Sequence, residues 1–330
     1  MIEQALRDLN PVQEPLAEVD AVRAAADLER ILALPREPAL PQRHRPHHAH
    51  GRRLAVIGVA SVIALALVVG LPLLPWRSTS PAMAATPPVL AGALVQGGTG
   101  APAARELREL AGAAERSDAP GVRGARYATW DLTTRVHGAE PVHSAVVPLE
   151  VSLTVAADGT WHRVAAYGRP VAGDLTATDL PAPGEVESDE LFPPGRAPRI
   201  FPEPLAEDEL GLRGQLAAAH PIDRLGTAEL FVALTDLAKE QNPGPASRAA
   251  ALRLLAGSPD VHSLGAMTDR DGRPGRGFAV DSDLTGLPTR YVLIVDPLTG
   301  RLLASEQVLT ERAGRLDVDV PAVISYVVFR

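Results

Sequence analysis

The chain has 330 residues, carries a formal net charge of −8 and contains no cysteine. This length exceeds that of one small domain and can bury a substantial core. The absence of cysteine excludes disulfides, a thiolate zinc site and a lipid-modified cysteine anchor. Acidic and basic residues balance in residues 1–53, so the acidic surplus lies further along and disfavours a nucleic-acid partner.

The first part of the chain, residues 1–53, is predicted to be a tail with one short helix. Apolar residues recur at three- and four-residue steps from Leu16 to Leu34, and Pro35 ends the pattern. Such a helix is marginal alone in water. It is either a solvated tail that samples helix or a docking segment for a cytoplasmic regulator. The linker from Pro38 to His50 mixes histidine, arginine and proline, which indicates a basic juxtamembrane strip rather than a metal site.

An uncharged apolar run from Leu54 to Leu74 predicts where the protein resides. As a helix it would reach about 31 Å, roughly the thickness of a bilayer's hydrocarbon core. We therefore predict a transmembrane helix over residues 54–75. Arginines crowd the N-terminal flank, whereas only Arg77 follows the run before Arg105. The positive-inside bias then puts the N-terminus in the cytoplasm and the C-terminal part outside the cell membrane, held by a single span.

Two other interpretations of this run concern export. The Ala82-Met83-Ala84 sequence fits the small-residue pattern of a signal-peptide cleavage site. Signal h-regions run about 7 to 15 residues, however, and this run is longer. The Arg52-Arg53-Leu54 sequence permits a twin-arginine signal, although an arginine pair beside an apolar run is common. The length favours a retained anchor, and cleavage stays the alternative.

After a stem over residues 76–88, residues 89–330 are predicted to form an extracytoplasmic domain. The pattern from Val89 to Val95 favours a first strand, and that from Ala101 to Arg116 favours a helix. From Ala125 onward, apolar and polar residues alternate through three segments, the last entered through an Asp158-Gly159 turn. We therefore expect three successive antiparallel strands with one apolar face.

The remainder of this domain combines helices with more sheet. Pro170 to Pro204 is rich in proline, glycine and acid, which predicts a long irregular excursion. A later hairpin turns at Asp296-Pro297-Leu298-Thr299-Gly300, and a strand from Ile324 to Phe329 closes the chain. The fold class is therefore α+β, an antiparallel sheet with inserted helices. These helices are predicted over Glu207 to Ala219, from a cap at Thr227 to Ala238, and over Pro245 to Leu255.

The motifs of catalysis are missing from the sequence. Lys239 is the only lysine and has no glycine-rich loop beside it, which excludes a P-loop or kinase site. There is no His-Glu-x-x-His and no Gly-x-Ser-x-Gly motif. Nothing in the sequence pairs His162, His220 or His262 with a nucleophile. We therefore predict no enzyme activity, no catalytic residues, no cofactor and no metal site.

Several short stretches carry a family resemblance, in order along most of the chain from about residue 50. They are Ala84-Ala85-Thr86-Pro87-Pro88, Trp130-Asp131-Leu132, Arg248-Ala249-Ala250-Ala251-Leu252-Arg253, Asp269-Arg270-Asp271-Gly272-Arg273 and Asp296-Pro297-Leu298-Thr299-Gly300. The chain resembles an uncharacterised actinobacterial family of single-pass membrane proteins often encoded beside extracytoplasmic-function sigma factors. Its predicted layout is similar to the half-barrel of periplasmic lipoprotein carriers and of anti-sigma-factor regulators.

These patterns predict a membrane-anchored extracytoplasmic binding or sensor module. In a half-barrel, Trp130 and Trp161 are the candidates to line an apolar ligand face; the alternative is that both are buried core. The resemblance implies a link to sigma-factor signalling. A second hypothesis is a signalling protein in which the predicted helix from Leu16 to Leu34 holds a cytoplasmic regulator, while an apolar ligand or a protein partner binds outside. The alternative function is a tethered lipid or lipoprotein carrier, and an exported hydrolase ranks third.

Overall fold

The structure, a computed structural model, describes residues 84–95, 103–133, 144–177, 180–201 and 204–330. In these ranges the chain is α+β, with a large antiparallel sheet and helices packed on it. None of the helices in these ranges combines the length and the apolarity needed to cross a membrane. The predicted tail helix and the predicted span lie outside the described residues.

Within the described ranges, one helix precedes the first strand and the other three helices follow the sixth strand. Four helices occur in the described ranges: α1 Ala104–Glu115, α2 Glu209–Ala219, α3 Ile222–Glu240 and α4 Pro245–Ala256. The strands in the same ranges are β1 Val122–Asp131, β2 Ala145–Val146, β3 Leu149–Val155, β4 Trp161–Tyr167, β5 Ala172–Gly173, β6 Val186–Phe192, β7 Gln241–Asn242, β8 His262–Thr268, β9 Pro274–Ser282, β10 Thr289–Val295, β11 Leu302–Leu309 and β12 Ala322–Phe329.

The main sheet has the strand order β6-β4-β3-β1-β12-β11-β10-β9-β8, and β7 adds to β1. Neighbouring strands along this path are antiparallel, so the predicted succession of β1, β3 and β4 is confirmed. The C-terminal strand β12 lies between β1 and β11, where it joins the two halves of the sheet. The strands β2 and β5 form a separate two-stranded sheet.

The helices pack against one face of the main sheet, which we call the helix face. Side chains alternate between faces along a strand, so Tyr127 of β1 and its register partner Phe329 of β12 lie on the same side. Phe278 and Leu293 are fully buried in one cluster with side chains from all four helices. The helices therefore cover the helix face and form the largest core.

Residues 84–95, which we call the strap, lie against the opposite, second face. Ala93 is fully buried with Ile294 and Met267 in one cluster, and Val89 packs on it. The guanidinium of Arg290 donates to the carbonyl oxygens of Ala93 and Val95 at 3.2 Å and 3.1 Å. Both faces of the sheet are thus covered, one by helices and the other in part by the strap.

The strap is not the strand that the sequence predicts for Val89 to Val95. Its residues 91–94 form a turn, in which the amide of Ala93 donates to the carbonyl of Leu90. Gly92 has φ +87°, a left-handed conformation that interrupts an extended segment. The run of Val and Leu reflects burial against the second face rather than pairing in a ladder.

The predicted excursion from Pro170 to Pro204 contains the strand β6 at one edge of the main sheet. Its charged side chains pair with the neighbouring strand: Asp189 with His162 at 2.7 Å and Glu190 with Arg163 at 3.1 Å. An acidic edge strand lacks the apolar alternation by which the other strands are recognised, which is why the sequence pattern missed it.

The helical block matches its prediction, although a short helical segment precedes Thr227 in α3. This helix starts at Ile222 and is interrupted at Gly226, whose φ is +70°. The hydroxyl of Thr227, predicted as a helix cap, donates instead to the Asp260 carboxylate at 2.7 Å. The helix α4 ends at Ala256 with Gly257 as its C-cap, as predicted.

Candidate functional site

Trp130, one of the two predicted ligand-face residues, lies on the second face of the sheet. It is 9% exposed and packs in a cluster with Val308, Val323 and Val328. Its ring stacks on that of Tyr326 at 6.3 Å between centroids, with 23° between the planes. The surroundings of Trp130 are therefore those of a packed core.

Trp161, the other predicted residue, lies on the helix face. In the strand register, Trp161 lies opposite Val155 of β3. Val151 lies on the same face of β3 as Val155 and is opposite Tyr127, which is on the helix face. Trp161 is 7% exposed, and the Arg199 guanidinium lies 5.1 Å from the centroid of its ring. The structure thus puts the two tryptophans on opposite faces of the sheet and does not bring them together at one site.

A pocket of about 290 Å³ lies on the helix face, between the sheet and the helices α3 and α4. Ligand pockets in proteins commonly start near this volume. Its apolar wall comes from two helices and four strands, and neither tryptophan contributes to it. The apolar residues of this wall are Ala125, Leu234, Leu237, Ala238, Ala251, Leu252, Leu255, Leu293, Val295, Leu302, Leu303 and Phe329.

The turn from Asp296 to Gly300 closes one side of the pocket, and it forms where the sequence predicts it. The Asp296 carboxylate accepts from the amide of Leu298 and from the hydroxyl of Thr299, both at 2.8 Å. Gly300 has φ +66°, and a Cβ there would lie 2.6 Å from the Cβ of Ala114. Its lack of a side chain allows this turn to pack against α1.

Two arginines of the pocket bind consecutive backbone carbonyls of the loop before β1. Arg248 donates to the carbonyl oxygen of Ala119 at 2.8 Å, and Arg301 donates to that of Pro120 at 3.2 Å. Arg248 is 3% exposed, and burial, followed by the charge of Arg301, lowers its pKa. The two guanidinium groups therefore lie near each other at the edge of an apolar cavity.

A second cluster of charged groups is buried on the second face, around Glu306 of β11. Its carboxylate is 1% exposed, and its Oε1 lies 2.7 Å from Nε of Arg270. Apart from Arg270, no described group donates a hydrogen bond to either oxygen of this carboxylate. Burial raises the pKa of Glu306 to about 7, although Arg270 opposes the shift.

Arg270 connects this cluster to the aromatic residues and to the strap. Its guanidinium lies 4.6 Å from the centroid of the Tyr326 ring and donates to the carbonyl oxygen of Pro88 at 3.0 Å. Burial raises the pKa of the Tyr326 hydroxyl to about 12. One cluster beneath the strap thus contains Glu306, Arg270, Tyr326 and Trp130.

The histidines make pairs that the sequence did not indicate. Nδ1 of His220 lies 2.9 Å from a Glu229 carboxylate oxygen, and Nε2 of His162 lies 2.7 Å from one of Asp189. Neither ring is hydrogen-bonded to a serine or threonine hydroxyl within the described ranges. In the same ranges, no group of three His, Cys, Asp or Glu side chains has the geometry of a metal site.

No protein-family model, no curated protein and no solved structure matches this chain. The site is accordingly defined by its own geometry, in which the pocket on the helix face combines an apolar wall with charged groups at its edge.

Sequence reasoning missed this pocket, although a signal was present. Arg248 stands four and seven positions before Leu252 and Leu255, so one charge falls on the apolar stripe of α4. Glu306 likewise falls in the alternation of Ala304 and Val308 on β11. A charged residue at a position where the repeat of a helix or strand calls for an apolar one is therefore a signal for such sites.

Proposed function

We propose that this chain is a membrane-anchored extracytoplasmic binding or sensor module without enzyme activity, and that its ligand occupies the pocket on the helix face. The pocket carries the proposal because it offers a continuous apolar wall next to cationic groups that could fix a ligand's orientation. The anchor is the apolar run from Leu54 to Leu74, with the N-terminus in the cytoplasm.

The small volume of the pocket favours a sensor over the alternative of a lipid or lipoprotein carrier. A cavity of about 290 Å³ suits one short chain better than a lipid with several chains. In this proposal the sheet with its covered helix face takes the place of an open half-barrel. The proposed signalling partner is a cytoplasmic regulator bound through the predicted helix from Leu16 to Leu34.

Filling the pocket tests the binding function. Residues 84–330, produced alone, are expected to give a monomer with mixed α and β dichroism and a cooperative melt, because the sheet and the helices packed on it bury an extensive apolar core. The neutral dye N-phenyl-1-naphthylamine should bind this domain saturably. A251F should weaken dye binding at least about tenfold, since the new ring takes up the cavity that an apolar ligand would occupy.

A matched variant separates this effect from a general gain of apolar surface. Ala218 lies exposed on α2 and does not line the pocket, so A218F should leave dye binding unchanged. Saturable dye binding that A251F and A218F affect equally would show that the dye binds elsewhere. If the unmodified domain melts cooperatively but binds no dye, the result would contradict the proposed function.

Protease protection tests the proposed orientation. In spheroplasts, added protease is expected to cut the chain after Trp76 and to leave residues 1–50 intact, because arginines crowd only the N-terminal flank of the run. Fragments are identified by mass spectrometry, with an epitope at each terminus. A protected C-terminal domain would reverse the orientation, and a mature N-terminus at Ala85 would show that the anchor is removed.

A further inference from the structure

The guanidinium groups of Arg248 and Arg301 lack acidic partners among the described residues. No described carboxylate comes within ion-pair distance of either, and both donate only to backbone carbonyl oxygens. By contrast, two other arginines of the pocket are paired: Arg273 with Asp269 at 2.6 Å, and Arg330 with Asp271 at 2.8 Å. The charges of Arg248 and Arg301 are therefore compensated by no ion pair among the described residues, and the same holds for Arg126, which also lines the pocket.

One acidic side chain of the pocket, Asp296, offsets part of the charge of Arg248 without forming an ion pair with it. Asp296 lines the same pocket, but its two carboxylate oxygens accept from Leu298 and Thr299 within their own turn. Nε of Arg248 and Nε of Arg301 are buried and donate to no described group. Arg248 is buried and Arg301 is half-buried. Because a buried cation is costly unless it is paired, an anion is favoured beside these two neighbouring guanidinium groups.

We infer that the ligand of this pocket is a single-chain amphiphile whose anionic oxygens, of a carboxylate or a phosphate, bind Arg248 and Arg301 while its chain enters the apolar cavity. This inference rests on the proposed function, since it names the ligand class of the same site. Planar guanidinium groups present paired donors that match carboxylate and phosphate oxygens. The chain would lie along Leu252, Leu255 and Leu293, which line the wall.

Two photoreactive probes of equal chain length test the inference on the full-length chain in phosphatidylcholine nanodiscs. One is a diazirine-bearing decanoate, and the other is its neutral alcohol counterpart. Peptides from α4 and β11 that carry label are quantified by mass spectrometry over a range of probe concentrations. The decanoate probe should reach half-maximal labelling at a concentration roughly ten times lower than the alcohol, because its head binds two cations.

Competitors and variants then identify the head group and the arginines. Decanoate and decyl phosphate should both compete with the probe for labelling, whereas decyltrimethylammonium should compete poorly. The competitor that acts at the lower concentration identifies the preferred head group. R301Q should remove the preference for the acid probe and R301K should retain much of it, since lysine keeps the charge. R248Q should act like R301Q, and R312Q, at an exposed arginine, should change nothing.

The outcomes separate this inference from the function on which it rests. Equal labelling of the pocket by both probes, or stronger labelling by the alcohol, would overturn the anionic ligand and leave the binding function standing. Absence of label from the pocket with both probes would overturn the binding function itself. The comparison of the two probes on the unmodified chain is decisive even if R248Q fails to fold.

Discussion

The unmodified chain is expected to lose about 3 kcal/mol of stability at Glu306 as the pH rises from 4.5 to 8, and E306Q is expected not to lose it. Burial raises the pKa of this carboxyl group in the folded state to about 7. Between its ordinary pKa and 7, the unfolded chain has ionised Glu306 whereas the folded chain keeps it protonated. The contribution of Glu306 to stability is therefore greatest at low pH, falls through this window and levels off above it.

Urea denaturation of residues 84–330 at several pH values measures this effect. As the pH rises, the unfolding free energy of E306Q should increase relative to that of the unmodified domain. E311Q is the control, because Glu311 is exposed, and its difference from the unmodified domain should stay flat. A difference for E306Q that does not change with pH would show that Glu306 is ionised throughout, held by Arg270.

Truncation of Trp130 is expected to destabilise the domain by about 3 to 5 kcal/mol, the range for large aromatic core residues. The ring is buried against three valines and stacks on Tyr326, so W130A leaves a cavity beneath the strap. Thermal and urea unfolding measure the loss, and W130F should recover part of it. Dye binding to the pocket should not change in folded W130A, since Trp130 does not line the pocket.

An exposed apolar residue provides the control for this truncation. Leu210 on α2 is 83% exposed, so L210A should change stability by less than about 0.5 kcal/mol. A loss of comparable size in W130A and L210A would contradict the core position of Trp130. If W130A still melts cooperatively but no longer binds the dye, Trp130 would belong to the ligand site after all.

The sequence could predict the strands that alternate and the turns that need particular residues. The segments around Asp158-Gly159 and Asp296 to Gly300 form hairpins because local chemistry determines them. The position of β12 between β1 and β11 could not be predicted in this way, since that pairing joins residues about 200 positions apart.

The pocket depends on such distant pairings, and this explains why it was missed. Arg248 and Arg301 become neighbours because both reach the loop carbonyls at Ala119 and Pro120, which are far from them in sequence. The sequence gives no relation between Trp130 and Trp161 beyond their residue type. The register of β3 and β4 is needed to show that they lie on opposite faces. Alternation assigns a face within one strand but does not relate separate strands.

The acidic edge strand β6 bears on how copies of this domain behave when crowded side by side on a surface. An edge strand offers unpaired amides and carbonyls to any other strand that approaches. In a parallel, in-register contact between two copies at β6, Glu187 and Asp189 would lie beside their equivalents. Like charges directly opposite one another are unfavourable, so this edge resists joining into a continuous ribbon of sheet. The charge of β6 therefore disfavours association of two such domains through this edge of the sheet.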